Sequence, residues 1–236
     1  MWKNPFSGLK KREWFLWGMS LLVVAVSNFL TGSVRPVLLI ATLVGVTALI
    51  FVARGDVWGQ VLTVLFSVLY SITSLEFRYY GEMITYLGMS APIAALSVVT
   101  WLRNPVEKGK NEVRIHTLTG RQTVLMLVLA AVVTGIFYVI LKAFDTPNLA
   151  VSTVSITTSF LASYLMLYRN SYYALAYAAN DVVLIILWVL AALEELTYAP
   201  MIVCFGMFLI NDLYGFVSWK ARETKQAAAA RHVRAG

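Results

Sequence analysis

The stretch YYALAYAANDVVLIILWVLAAL, residues 172–193, holds Asn180 and Asp181 in the middle of an otherwise apolar run. A second run, MIVCFGMFLINDLYGFVSW at 201–219, repeats the dipeptide as Asn211-Asp212. Each run is close to the roughly 20 residues an α-helix needs to cross the hydrocarbon core of a bilayer. A carboxylate at the centre of such a helix costs about 2.5 kcal/mol or more on insertion scales, so it faces a cavity or a partner instead of lipid. Two neighbouring spans that each carry an amide beside an acid, with aromatics a turn away, read as a polar site inside a membrane bundle.

The rest of the chain agrees with a membrane reading. Hydrophobic residues make up 59% of it and charged residues 13%, against about 25% charged in soluble domains. Eight spans are expected, at roughly 14–32, 36–53, 57–75, 82–102, 122–143, 149–168, 172–192 and 198–219. The fold class is therefore an all-α membrane protein, because helices satisfy their own backbone groups in lipid and no ten-residue alternation of a β-barrel is present. The first apolar run lacks an A-x-A-like cleavage site and is followed by further spans, so no cleavable signal peptide is expected. The single cysteine, Cys204, lies in an apolar run and excludes a disulfide framework. His116 and His232 stand in polar segments, no His/Cys cluster has metal spacing and no Walker loop occurs. No metal, cofactor or enzymatic activity is expected.

The net charge of +7 could point to nucleic acid, but its placement is topological. Of the 19 basic residues, only Arg35, Arg78 and Lys142 fall in one set of loops; the termini and the opposite loops hold the others. That asymmetry predicts both termini in the cytoplasm of a multi-pass cell-membrane protein, and no nucleic-acid partner. The division expected along the chain is an N-terminal segment and extra helix (1–35), a three-helix unit (36–102), a basic loop and linker helix (103–148), a second three-helix unit (149–222) and a tail (223–236). The two units resemble each other. LIFVARGDVWG parallels YLMLYRNSYYA, and SVVTWLRN parallels GFVSWKAR; Tyr70 then matches Trp188 and Trp101 matches Trp219. The arrangement reads as one extra helix followed by a parallel 3-1-3 bundle, an architecture in which substrate binds between the repeats near mid-membrane.

Asn180 and Asn211 both lie about 12 Å from the inner ends of their spans, at about 1.5 Å per residue, so a shared site is expected. Tyr173, Tyr177, Asn180, Asp181 and Trp188 follow helical spacing on the first span, and Tyr214 follows Asn211 on the second. Amides can donate to and accept from a carboxamide or base edge, carboxylates accept from ribose hydroxyls, and aromatic faces stack or attract a cationic ring. The same Asn-Asp pairs could instead join helices across the bundle. Gln60, Thr63, Ser67, Ser71 and Ser74 form a polar stripe on the third span, and Ser152, Ser155, Ser159 and Ser163 another on the sixth; such residues serve either close packing or a pathway. Pro92 is expected to kink the fourth span. Glu82, Glu194 and Glu195 fall near span ends and are expected to face water.

On TTSFLASYLMLYR (157–169), YAANDVVLIILW (177–188) and NDLYGFVSW (211–219), with YGEMITYL (80–87) and TWLRN (100–104), the sequence resembles the PnuC family of vitamin transporters. The resemblance covers about residues 36–222 and is strongest to the Gram-positive variant, where both Asn-Asp pairs recur. It implies a 3-1-3 fold like that of SWEET sugar transporters, a homotrimer, and facilitated diffusion of nicotinamide riboside that is trapped by phosphorylation inside the cell. On that resemblance Tyr177, Trp188 and Tyr214 stack or gate, and Asn180 and Asn211 read the carboxamide. Asp181 accepts from the ribose, Asp212 supports the site or pairs with a neighbour, and Gln60 contributes from the first unit. Many relatives carry tryptophan where this chain has Tyr177, which leaves thiamine, riboflavin or a deoxynucleoside as alternative cargo. A proton-coupled nucleoside importer is a further alternative, since a buried aspartate can carry the proton. A diaspartyl membrane protease fits poorly, because FLIN precedes Asp212 where that class needs a glycine-rich turn.

Overall fold

The computed structural model describes residues 4–30, 35–76, 79–107 and 111–235, with side chains to Arg231. Of the basic residues used above for orientation, Lys3, Arg78, Lys108 and Lys110 lie outside these, as do the side chains of His232 and Arg234. Among the described residues eight helices are long and apolar enough to cross a membrane, as expected. They are α1 (Lys11–Leu30), α2 (Pro36–Ala53), α3 (Val57–Glu76), α4 (Tyr80–Arg103), α5 (Gly120–Ala143), α6 (Leu149–Leu167), α7 (Tyr173–Glu194) and α8 (Ala199–Ala235). Successive helices reverse direction, so an even number of crossings leaves both ends of the chain on one side, called here the termini face.

Local chemistry sets the turns on that face. Gly55 takes φ +68°, a conformation that costs glycine nothing, and its carbonyl accepts from the Val113 amide at 2.9 Å. Asp56 then caps α3, its Oδ1 accepting from the Trp58 N–H at 3.0 Å. One turn on, a Cβ at Gly59 would run into the Val52 backbone, so α2 and α3 approach as closely as two helices can. α5 opens with a reciprocal capping box between Thr119 and Gln122. The His116 amide donates to the Arg169 carbonyl at 3.1 Å, tying the long loop to the α6–α7 turn.

At Pro92 the expected irregularity takes the form of a change in helix type. α4 widens into a π turn at Tyr86–Ser90 immediately before the proline, which accommodates the lost N–H and the ring's clash with the preceding turn. α2, α3, α7 and α8 pack in the middle, α1 lies against α2 and α8, and α5 lies outside against α6. Most of α5, including Val124, Leu127, Val132 and Ile136, is exposed, which suits a lipid-facing surface. α8 continues helical well past Trp219.

Two aromatic layers cross the bundle. The one away from the termini holds Phe66, Tyr70, Tyr79, Tyr86, Trp188 and Phe205. The one nearer the termini holds Trp101, Tyr173 and Trp219 with Val52 and Met166. Tyr70 and Trp188 meet across the axis of the bundle, the indole Nε1–H donating to the phenol oxygen at 3.1 Å. Trp101 and Trp219 meet likewise at 5.6 Å between ring centroids, each donating its N–H to a helix carbonyl, Met166 and Val52 respectively.

Glu82 departs from expectation. It is 1% exposed, and its Oε1 accepts from the Ser155 hydroxyl at 3.2 Å. The cause is tertiary: the first turn of α4 tucks beneath the α5–α6 connection, with Gly81 against Leu141 and Thr146. Glu194 and Glu195 are exposed, as expected.

Candidate functional site

A small cavity of about 60 Å³ lies between the two aromatic layers. Each central helix contributes a wall. α2 gives Gly45, Ala48, Leu49 and Val52; α3 gives Gln60, Thr63, Phe66 and Ser67; α4 gives Tyr86 and Ser90 from its π turn. α6 gives Ser159 and Met166, α7 gives Tyr177, Asn180 and Asp181, and α8 gives Phe208 and Asp212.

Five of the eight residues singled out in the sequence thus come together here: Gln60, Tyr177, Asn180, Asp181 and Asp212. The Asn180 Oδ1 accepts from Thr158 Oγ1 at 2.7 Å and Ser159 Oγ at 2.9 Å, which leaves its NH2 as the group it can offer to a ligand. Gln60 is 1% exposed, and its Nε2 is buried with no protein acceptor. Asp181 is 2% exposed and its Oδ2 has no protein donor, and Asp212, 3% exposed, lines the same cavity from α8. Tyr177 shares a hydrogen bond with Ser163 at 3.1 Å and keeps its ring at the cavity wall. Buried polar atoms in proteins are almost always paired, so unspent donors and an unspent acceptor around one space mark it as built for a polar ligand.

The other three singled-out residues lie elsewhere. Asn211 donates to Ser20 Oγ of α1 at 3.0 Å and to the Met207 carbonyl at 2.8 Å. Tyr214 donates to Glu13 Oε1 at 3.0 Å and lies beneath Arg12, whose guanidinium carbon is 5.6 Å from the ring centroid. Both therefore hold α1 against α8. Trp188 is fully buried in the aromatic layer above the cavity, 4.9 Å from the Tyr79 ring.

Tyr86, Phe66 and Phe208 are wall residues that the sequence reading did not single out. A Cβ at Gly45 would collide with the Phe208 and Phe66 rings, so that glycine sets how closely they approach α2. Apolar residues on an apolar helix carry no sequence signal of this kind. Among the described residues no lysine, arginine or histidine lines the cavity, nor is any group of three potential metal ligands found. A bound anion would lack a basic partner; a neutral ligand would not need one, and a cationic ligand would find Asp181 and Asp212 in the wall.

Comparison with known proteins places this geometry. The sequence pattern of a family described as nicotinamide mononucleotide transporter matches residues 35–221. The nicotinamide riboside transporter PnuC of Neisseria mucosa is 23% identical over 223 residues, covering 92% of this chain and 84% of that protein. Its counterpart in Haemophilus influenzae is 22% identical over 182 residues, 77% of each. Neither singles out the Gram-positive variant. A solved structure described as the crystal structure of the vitamin B3 transporter PnuC superposes with a TM-score of 0.80. It shares 22% identity over 93% of this chain and 94% of that one, a likeness of fold.

Proposed function

The chain belongs to the nicotinamide mononucleotide transporter family, and on that premise we propose that it carries nicotinamide riboside across a cell membrane by facilitated diffusion. The observation that carries this reading is the cavity itself, with unspent Gln60 and Asp181 atoms and no basic residue in its wall. A mononucleotide would bring a phosphate with nothing to pair it, whereas the riboside brings a pyridinium ring, a carboxamide and hydroxyls. The Asn180 and Gln60 NH2 groups donate to the carboxamide oxygen. Asp181 accepts from the ribose, and Asp212 holds Asp181 in place. Tyr177 lies along the ring. Trp188 acts with Tyr70 as a gate above the site, while Asn211 and Tyr214 set the position of α8 from behind.

Residues 36–102 and 149–222 form two units that rock about the site, with α5 as linker. This division is supported by the contacts Tyr70–Trp188 and Trp101–Trp219, in which residues 118 apart in sequence meet at the axis. Both termini lie in the cytoplasm of the cell membrane, as the loop charges argue. The protein is a homotrimer, and its cargo is trapped by phosphorylation once inside.

The test is a calorimetric screen of the purified protein against nicotinamide riboside, its mononucleotide, thiamine, riboflavin and deoxynucleosides. The riboside should bind and the mononucleotide should not. Binding of another vitamin in place of the riboside would overturn the substrate assignment and leave the fold untouched.

A further inference from the structure

The acid pair has more to do than position a ribose. Asp181 on α7 and Asp212 on α8 are both buried, stand on adjacent packed helices and line the same cavity. Two carboxyl groups in one dry wall hold a proton between them, because a bare pair of negative charges there is prohibitive. No basic side chain among the described residues stands in the cavity wall to neutralise them. The titratable groups that face the pair are Tyr177 and Tyr173 on α7, Cys204 on α8 and Tyr86 on α4. α2, α3 and α6 present only apolar, amide and hydroxyl groups there. Two other buried acids lie on neighbouring elements: Glu82 on α4, which takes the Ser155 hydroxyl, and Glu13 on α1, which takes the Tyr214 hydroxyl.

We propose that the Asp181–Asp212 pair is a charge-matching device: it gives up one proton when a ligand carrying a ring cation enters the cavity and keeps it when the ligand is neutral. The proposal rests on the assignment of the cavity as the ligand site. One carboxyl O–H bond breaks, the proton leaves to water, and the pair gains the one negative charge that offsets the ligand's positive charge. The cation thus replaces the proton as the neutralising charge, and the two exclude each other from the site. By linkage, protons must weaken cation binding as much as the cation displaces protons. A cation then gains affinity as pH rises, and a neutral isostere does not.

The experiment uses the full-length protein in detergent and two probes. One is nicotinamide riboside; the other is 3-ribosylbenzamide, the carbon-linked isostere without ring charge. Titration calorimetry in buffers of differing ionisation enthalpy counts the protons released on binding. The riboside should release close to one proton per ligand, and its affinity should rise by about tenfold per pH unit where the pair still holds its proton. The isostere should release none and show flat affinity. The double variant Asp181→Asn/Asp212→Asn should abolish the release and the pH slope, whereas Glu82→Gln should leave both. Riboside binding with no proton release, or release that persists in the double variant, overturns the charge-matching pair alone. Absence of riboside binding overturns the substrate reading and this inference with it. Should the double variant fail to fold, the contrast between the two probes on the unaltered protein still decides.

Discussion

Asn211 and Asp212 are neighbours in the chain and do different work. Successive helical residues point about 100° apart, so Asp212 lines the cavity while Asn211 reaches Ser20 of α1. On α7 both members of the matching pair, Asn180 and Asp181, reach the cavity because that helix stands at its corner. Asn180→Leu should therefore weaken riboside binding by roughly 10- to 100-fold, the cost of removing a buried donor from a polar ligand. Asn211→Leu should lower thermal stability by about 0.6 kcal/mol, the average for a hydrogen bond between membrane helices, and leave affinity in place. Calorimetry and melting of both variants check this; equal loss of affinity in both would merge two roles that geometry separates. The depth of these residues was legible in the sequence, because helical rise is fixed. Which way each faces was not, because that depends on the neighbour it meets.

The eight spans were readable from hydropathy, and Pro92 announced an irregularity in α4. The π turn that brings Tyr86 and Ser90 into the wall was not readable, nor was the burial of Glu82, since both depend on other helices. Close approach between elements yields a sharper prediction. A Cβ at Gly59 meets the Val52 backbone, whereas one at Gly18 or Gly135 meets nothing within 4 Å. Gly59→Ala should destabilise the protein by about 1–3 kcal/mol through forced separation of α2 and α3. Gly18→Ala and Gly135→Ala should change the melting temperature little or raise it, since alanine is the better helix former. An unaltered melting temperature for Gly59→Ala would mean that α2 and α3 have room to part.

For the molecule as a whole, the two aromatic contacts at the axis bracket the cavity, Tyr70–Trp188 on one side and Trp101–Trp219 on the other. If the two units rock about the site, both contacts cannot stay closed while cargo passes. Cysteines placed at 70 and 188 and joined by a short bifunctional reagent should abolish uptake into vesicles. The same bridged protein should still bind riboside from the opposite face. Undiminished uptake in the bridged protein would place the route elsewhere. Labelling of single cysteines in whole cells tests the assigned orientation: one in the 104–119 loop should be protected until the membrane is opened. Mass measurement in native detergent micelles should give three copies.

α8 runs unbroken from Ala199 to Ala235, 37 residues or about 55 Å of continuous rod. Asp212 lies partway along it, in the cavity wall. Further along, Arg222 pairs with Glu112 at 2.8 Å, and the Gln226 side chain bonds the Ile115 amide and the Val113 carbonyl. A fluorescent module spliced in helical register onto this shaft would inherit its tilt, so the polarisation of its emission would follow the chamber wall, turning a transporter into an optical gauge of its own cargo.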